Sequence, residues 1–153
     1  MDDTRLQKQV EQVDRTFHRL WFGILIGQST FFSEQMEKLT FFDMHVIGIA
    51  YNRPDAILKE IREYLKVPQT TLSSIISRLE KRGYIRRVIN HRDMRSFSLE
   101  VTDLGKKVLE EHKRLDREQA RNVLISLDEE ERDMFIRLLE KVASNVGASR
   151  FIE

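Results

Sequence analysis

The sequence predicts a mainly helical α+β chain with elements in the order α-α-α-α-β-β-α-α. Three observations carry this expectation. Two prolines and six glycines in 153 residues leave most of the chain free to form long helices. Apolar residues recur at steps of three and four along most of its length. Two short β-rich runs, YIRRVI and FSLEV, flank the stretch NHRDMRS at 90–96, where a tight hairpin would carry a glycine.

Taken in order, Val10, Val13, Phe17, Leu20, Trp21 and Ile24 form the apolar stripe of a first helix, expected to run to about residue 33. A stripe of that length calls for a second helix or a second subunit to cover it. Thr40 and Asp43 have the spacing of a capping box and open a second helix, with Phe42, Val46, Ile47 and Ile49 expected to be largely buried. Pro54 interrupts it, and Asp55 is expected to start a third helix with Ile57, Leu58, Ile61 and Leu65 on its apolar face. Pro68 ends that element. A fourth helix follows over about 69–82, burying Leu72, Ile75, Ile76 and Leu79 and stopping at Gly83.

After the two strands, a helix is expected over about 104–125, capped by Thr102 or Asp103. Another is expected to begin at Ser126, with acidic residues in its first turn where the helix dipole favours them. Met134, Phe135, Leu138, Leu139 and Val142 are read as its buried side, with fraying after Gly147. This divides the chain into a dimerisation helix (1–36), a central lobe (37–103) and C-terminal dimerisation helices (104–153).

Composition excludes several functions. With no cysteine there is no disulfide framework and no thiol nucleophile. The start MDDTRLQKQVEQ is too charged for a signal peptide, and the apolar run at 20–27 is too short to span a bilayer. The expectation is a soluble cytoplasmic protein. Histidines 18, 45, 91 and 112 have no metal-ligand spacing, so neither metal nor cofactor is expected. No catalytic triad, carboxylate pair or phosphate loop stands out, and an enzyme is not expected.

Charge is uneven. Positions 78–95 hold seven basic and two acidic residues, a net +5, while the rest of the chain nets −4. A basic band on an acidic body suits a polyanion. The helix preceding the strands places Thr70, Thr71, Ser73, Ser74, Ser77 and Arg78 opposite its apolar stripe. Hydroxyl residues are mediocre helix formers, but short side chains permit close approach to another surface. Two helices joined by a short break and followed by a hairpin make a winged helix-turn-helix, whose second helix fits the major groove. The hydroxyl residues, with Gln69 at an adenine edge and Arg78, are then base and phosphate contacts. At the wing, Arg95 is the minor-groove probe, Asp93 its brace through a salt bridge, and Arg92 a phosphate contact. The loop lacks glycine because it is built for reach.

Two segments resemble the MarR-type winged helix-turn-helix transcriptional regulators. VPQTTLSSIISRLEKRGYIRR is similar to that family's recognition helix and its exit, and DMRSFSLEVTDLG resembles its wing signature, Asp-x-Arg-Ser followed by Leu-Thr-x-x-Gly. Met94 stands where a second arginine is frequent, and Val101 where the signature has leucine. The resemblance implies a homodimeric DNA-binding regulator, a repressor, held together by its terminal helices on a pseudo-palindromic operator. It points to Arg87 rather than Arg86 as a phosphate contact. It also implies a small anionic or aromatic effector held near Phe17, Trp21, Phe42, His45 and Tyr51, with Phe31, Phe32 and Phe41 on the same helices. The competing reading is a winged-helix interaction module whose basic band binds an acidic protein partner.

Overall fold

A computed structural model describes residues 3–28 and 33–145, without the side chains of 24–28 and 35. Two compact units are present, 1–37 and 38–153. The first contains α1 (Asp3–Gln28) and the single-turn α2 (Glu34–Glu37), which has no counterpart in the expected order. The second contains α3 (Phe41–Asn52), α4 (Leu58–Leu65), α5 (Gln69–Lys81), β1 (Ile85–Ile89), β2 (Phe97–Val101), α6 (Asp103–Leu124) and α7 (Glu129–Asn145). Phe31 and Phe32 lie outside the described residues, as do the expected continuation of the first helix over 29–32 and the fraying after Gly147.

The capping box forms as its spacing predicts. The Asp43 amide donates to Thr40 Oγ1 at 3.2 Å, and the Thr40 amide donates to Asp43 Oδ2 at 2.8 Å. Val46, Ile47 and Ile49 of α3, Ile61 of α4 and Leu72, Ile75, Ile76 and Leu79 of α5 meet Ile85, Leu99, Val108, Leu109 and Leu115 in one core. Phe42 is not part of it and stays 39% exposed at the start of α3.

The third helix begins later than expected. Ile57 adopts an extended conformation and bridges to Ser98 of β2, so the chain joins the wing before it coils. Glu60 then accepts the Ile57 amide at 3.0 Å and α4 starts at Leu58. At its far end Lys66 takes the left-handed conformation (φ 52°), ahead of Pro68. The end of α5 is a paired stop: the Tyr84 amide donates to the Leu79 carbonyl and the Gly83 amide to the Glu80 carbonyl. That geometry needs positive φ at Gly83, which sits at +77°.

The strands form a two-stranded antiparallel hairpin with Ile85 opposite Val101 and Ile89 opposite Phe97. Thr102 caps α6 by accepting the Gly105 amide at 3.1 Å. The last helix starts at Glu129, not Ser126, because Asp128 and Glu131 exchange amide-to-carboxylate bonds, both at 3.0 Å, and make the better cap. Its first turn is acidic, as expected. Its apolar side is not buried: Met134, Phe135, Leu138, Leu139 and Val142 are all exposed in the single chain. The α1 stripe is likewise open from Val10 to Trp21.

Candidate nucleic-acid interface

Helices α4 and α5, joined by a three-residue break, form the helix-turn-helix, and the hairpin after α5 is the wing. Apolar burial orients α5. With Leu72, Ile75, Ile76 and Leu79 in the core, Gln69, Thr70, Thr71, Ser73, Ser74 and Ser77 all face solvent. Thr70, Thr71, Ser74, Ile75 and Arg78 line a groove with Thr40 and Phe42 from the start of α3. Pro68 precedes α5 without a side-chain cap, leaving the positive end of its dipole open. Gln69 accepts from Arg62 Nη1 at 3.3 Å.

The arginines of the basic band are largely paired within the lobe. Arg78 Nη2 lies 2.6 Å from Oδ1 of the buried Asp43. Arg86 grips Glu100, its cross-strand neighbour, with two bonds of 2.7 and 2.8 Å. These bonds raise the Arg86 pKa and lower that of Glu100. Arg87 lies 3.4 Å from Glu80, whose carboxylate also accepts the Arg87 amide. Arg92 meets the Asp55 carboxylate at 2.5 Å and its carbonyl at 2.9 Å. By contrast, the Arg95 guanidinium has no hydrogen-bond or ion-pair partner among the described residues.

The loop at 90–96 is braced differently from the sequence expectation. Asp93 makes no ion pair with the Arg95 guanidinium among the described residues. Its carboxylate instead accepts the Arg95 amide at 3.0 Å and Ser96 Oγ at 2.6 Å. Asn90, which the sequence reading overlooked, is the larger organiser. Buried at 1% exposure, it accepts the Arg92 and Asp93 amides on Oδ1 and donates through Nδ2 to the Asp55 carbonyl and to Ser98 Oγ. Its own amide reaches the Ser96 carbonyl at 2.9 Å. The loop therefore closes on itself and is moored to the turn before α4, not extended for reach. An asparagine two and three residues before amides in a glycine-free loop is the local signal that would have marked it.

The Ser96 hydroxyl, followed by the Arg95 amide, holds the Asp93 carboxyl below its ordinary value. A depressed carboxylate pKa means that its contribution is complete above the unfolded value, about 3.9, and is lost as pH falls through the folded one. The amide resonances of Arg95 and Ser96 are therefore expected to hold constant from pH 7 to about 5 and to move together only below the ordinary aspartate range. A midpoint at or above that range would contradict this bracing.

The proposed effector residues belong to both units. Phe17 and Trp21, both more than 60% exposed, form an apolar concavity with His18 and Leu20 on α1. On α3, Phe42 faces the α5 groove, His45 stacks on Phe41 at 3.9 Å, and Tyr51 lies under Lys113 at 5.0 Å. Among the described residues, no helix is long and apolar enough to cross a membrane, and no three His, Cys, Asp or Glu residues gather as for a metal.

Comparison with known proteins follows the same outline. The profile of the MarR family matches residues 39–97, from two residues before α3 to the first residue of β2. The helix-turn-helix and the first strand of the wing are thus similar to the MarR family. MarR-type regulators are DNA-binding proteins rather than enzymes. The chain is 28% identical over 96 residues to the HTH-type transcriptional regulator YybA of Bacillus subtilis, covering 63% of this chain and 64% of that one. It is 30% identical over 88 residues to YwaE of the same organism, covering 58% and 52%. The matches therefore span between about half and two thirds of these relatives. In fold, the chain is similar to Streptococcus pneumoniae FabT, solved in complex with DNA, at a TM-score of 0.76 and 22% identity over 94% of this chain and 98% of that one. The matched stretch includes Asp93, Arg95 and Ser96 of the wing.

Proposed function

We propose that the chain is a cytoplasmic transcriptional repressor that binds a pseudo-palindromic DNA operator as a homodimer and is released by a small anionic or aromatic effector. One observation carries the reading: α5 turns an unbroken hydroxyl face to solvent while the neighbouring wing holds, at a braced position, an arginine with no partner among the described residues. The α5 face, Gln69 to Ser77, enters the major groove, with Arg78 at its wall. The uncapped helix start favours a phosphate. Arg95 enters the minor groove, where the negative potential is strongest, beside the Asp93 brace. Arg87 meets the backbone only by sharing Glu80, while Arg92 is held back by Asp55.

The open apolar faces of α1 and α7 support the dimer, since each exposes a stripe that a second copy would cover. Two recognition helices one DNA turn apart, roughly 34–36 Å, would read the two half-sites. An effector engaging the α1 concavity or the α3 aromatics would change that spacing. A few kcal/mol of differential affinity for the two arrangements suffices to shift the population.

The test is binding to a duplex from the gene's own upstream region across a salt series. Log affinity should fall linearly with log salt. Arg95→Ala should weaken operator binding by about tenfold or more, with the fold unchanged by circular dichroism. A shallow salt dependence on every duplex, with binding to an acidic protein instead, would return the chain to the interaction-module reading.

A further inference from the structure

We infer that Asp55 is a specificity-setting residue, which moors the wing through its backbone carbonyl and keeps Arg92 away from DNA phosphates through its carboxylate. The inference rests on the DNA-binding reading above and deepens it. Asp55 lies in the turn between α3 and α4, far in sequence from the wing, yet three wing contacts converge on it. Asn90 Nδ2 donates to its carbonyl at 2.7 Å, Arg92 Nη2 donates to the same carbonyl at 2.9 Å, and Arg92 lies 2.5 Å from its carboxylate. The two functions separate by atom, because the mooring uses the main chain and the neutralisation uses the side chain.

Both side chains of the ion pair remain more than half exposed. Exposed pairs contribute little to stability, so anchoring alone is a weak account of it. The arrangement has a clear electrostatic consequence instead. Arg92 and Arg95 sit three residues apart on one loop, and of the two only Arg95 is uncompensated among the described residues. A second free cation there would add a phosphate contact that every sequence offers equally, raising non-specific binding without raising discrimination.

The experiment compares wild type, Asp55→Asn and the double variant Asp55→Asn with Arg92→Gln, on an operator duplex and on a scrambled duplex. Asp55→Asn keeps the carbonyl that holds Asn90, so its thermal midpoint should match wild type. Its salt slope should steepen by about 0.9 for each freed arginine, or about 1.8 for a dimer. Affinity for the scrambled duplex should rise about tenfold at low salt, so the ratio of operator to scrambled affinity falls. The double variant should restore the wild-type slope, identifying Arg92 as the freed cation. An unchanged slope and ratio in Asp55→Asn overturns the inference, as does a double variant that keeps the steeper slope. If wild type binds no duplex in a salt-dependent manner, the DNA-binding reading itself falls, and that outcome is read from the wild-type arm alone.

Discussion

Arg78→Met is expected to destabilise the folded chain by about 3 kcal/mol. The reason lies in Asp43, whose side chain is completely buried. Its Oδ2 accepts the Thr40 amide and so caps α3, while its Oδ1 depends on Arg78 Nη2 at 2.6 Å. Removing the arginine leaves a buried carboxylate with one hydrogen bond and no compensating charge. Breaking such a pair typically costs about 3–5 kcal/mol, and the lower end applies because a third of the Arg78 side chain is still open to water. For a chain of this size each kcal/mol moves the thermal midpoint by about 2–4 °C, so a fall of about 6–12 °C is expected in a thermal melt. Arg78→Lys should recover only part of it, since an ammonium keeps the charge but not the planar fork. A midpoint within 2 °C of wild type would show that the carboxylate finds another partner. Arg78 falls within the predicted DNA-contact face, so affinity should be compared below both melting transitions, where loss of fold is not mistaken for loss of contact.

That pairing marks the boundary of what the sequence alone discloses. The apolar stripe of α5 and the capping box of Thr40 and Asp43 are legible because both depend on residues within one or two helical turns. The hydroxyl face follows from the stripe by geometry. Partner choice over long range is not legible in this way. Arg78 finds Asp43 across 35 residues, and Arg92 finds the Asp55 carbonyl across 37. The net +5 of positions 78–95 therefore overstates the free charge, because Asp43, Asp55 and Glu100, which offset it, all lie outside the window. The start of α4 shifts for a related reason: Ile57 has the periodicity of a helix but is drawn into a bridge with Ser98. In α7 the periodicity is read correctly while burial is not. An apolar stripe signals only that a surface needs covering, and among the described residues of the second unit nothing covers this one. Within the wing, Arg95 stands out through a family signature, whereas Asn90 is hidden because its importance comes from burial.

The second large effect concerns Gly105, and here a helix propensity argument and a packing argument predict opposite signs. Gly105 occupies the first turn of α6, where alanine would ordinarily be favoured by up to about 1 kcal/mol. A Cβ at this position would lie 2.2 Å from the Tyr84 carbonyl oxygen and 2.7 Å from Val101 Cγ1. The carbonyl cannot rotate aside, because it also accepts the Thr102 amide at 3.1 Å and faces the Thr102 hydroxyl. Relief would require α6 to move away from the wing, breaking the cap in which Thr102 Oγ1 receives the Gly105 amide. Overpacking of this kind costs about 1–3 kcal/mol and occasionally more, and contact with main chain places it at the upper end or beyond. The packing term therefore wins, and Gly105→Ala is expected to be destabilising by at least about 2 kcal/mol after the propensity gain is subtracted. Gly48 in α3 supplies the control, since its Cβ would meet only Leu109 Cδ1 at an ordinary 3.9 Å. Gly48→Ala should be neutral or stabilising by up to about 1 kcal/mol in the same denaturation assay. If the two substitutions were to fall on the same side of wild type, the close approach of α6 to the strand entrance would not be what requires glycine at position 105.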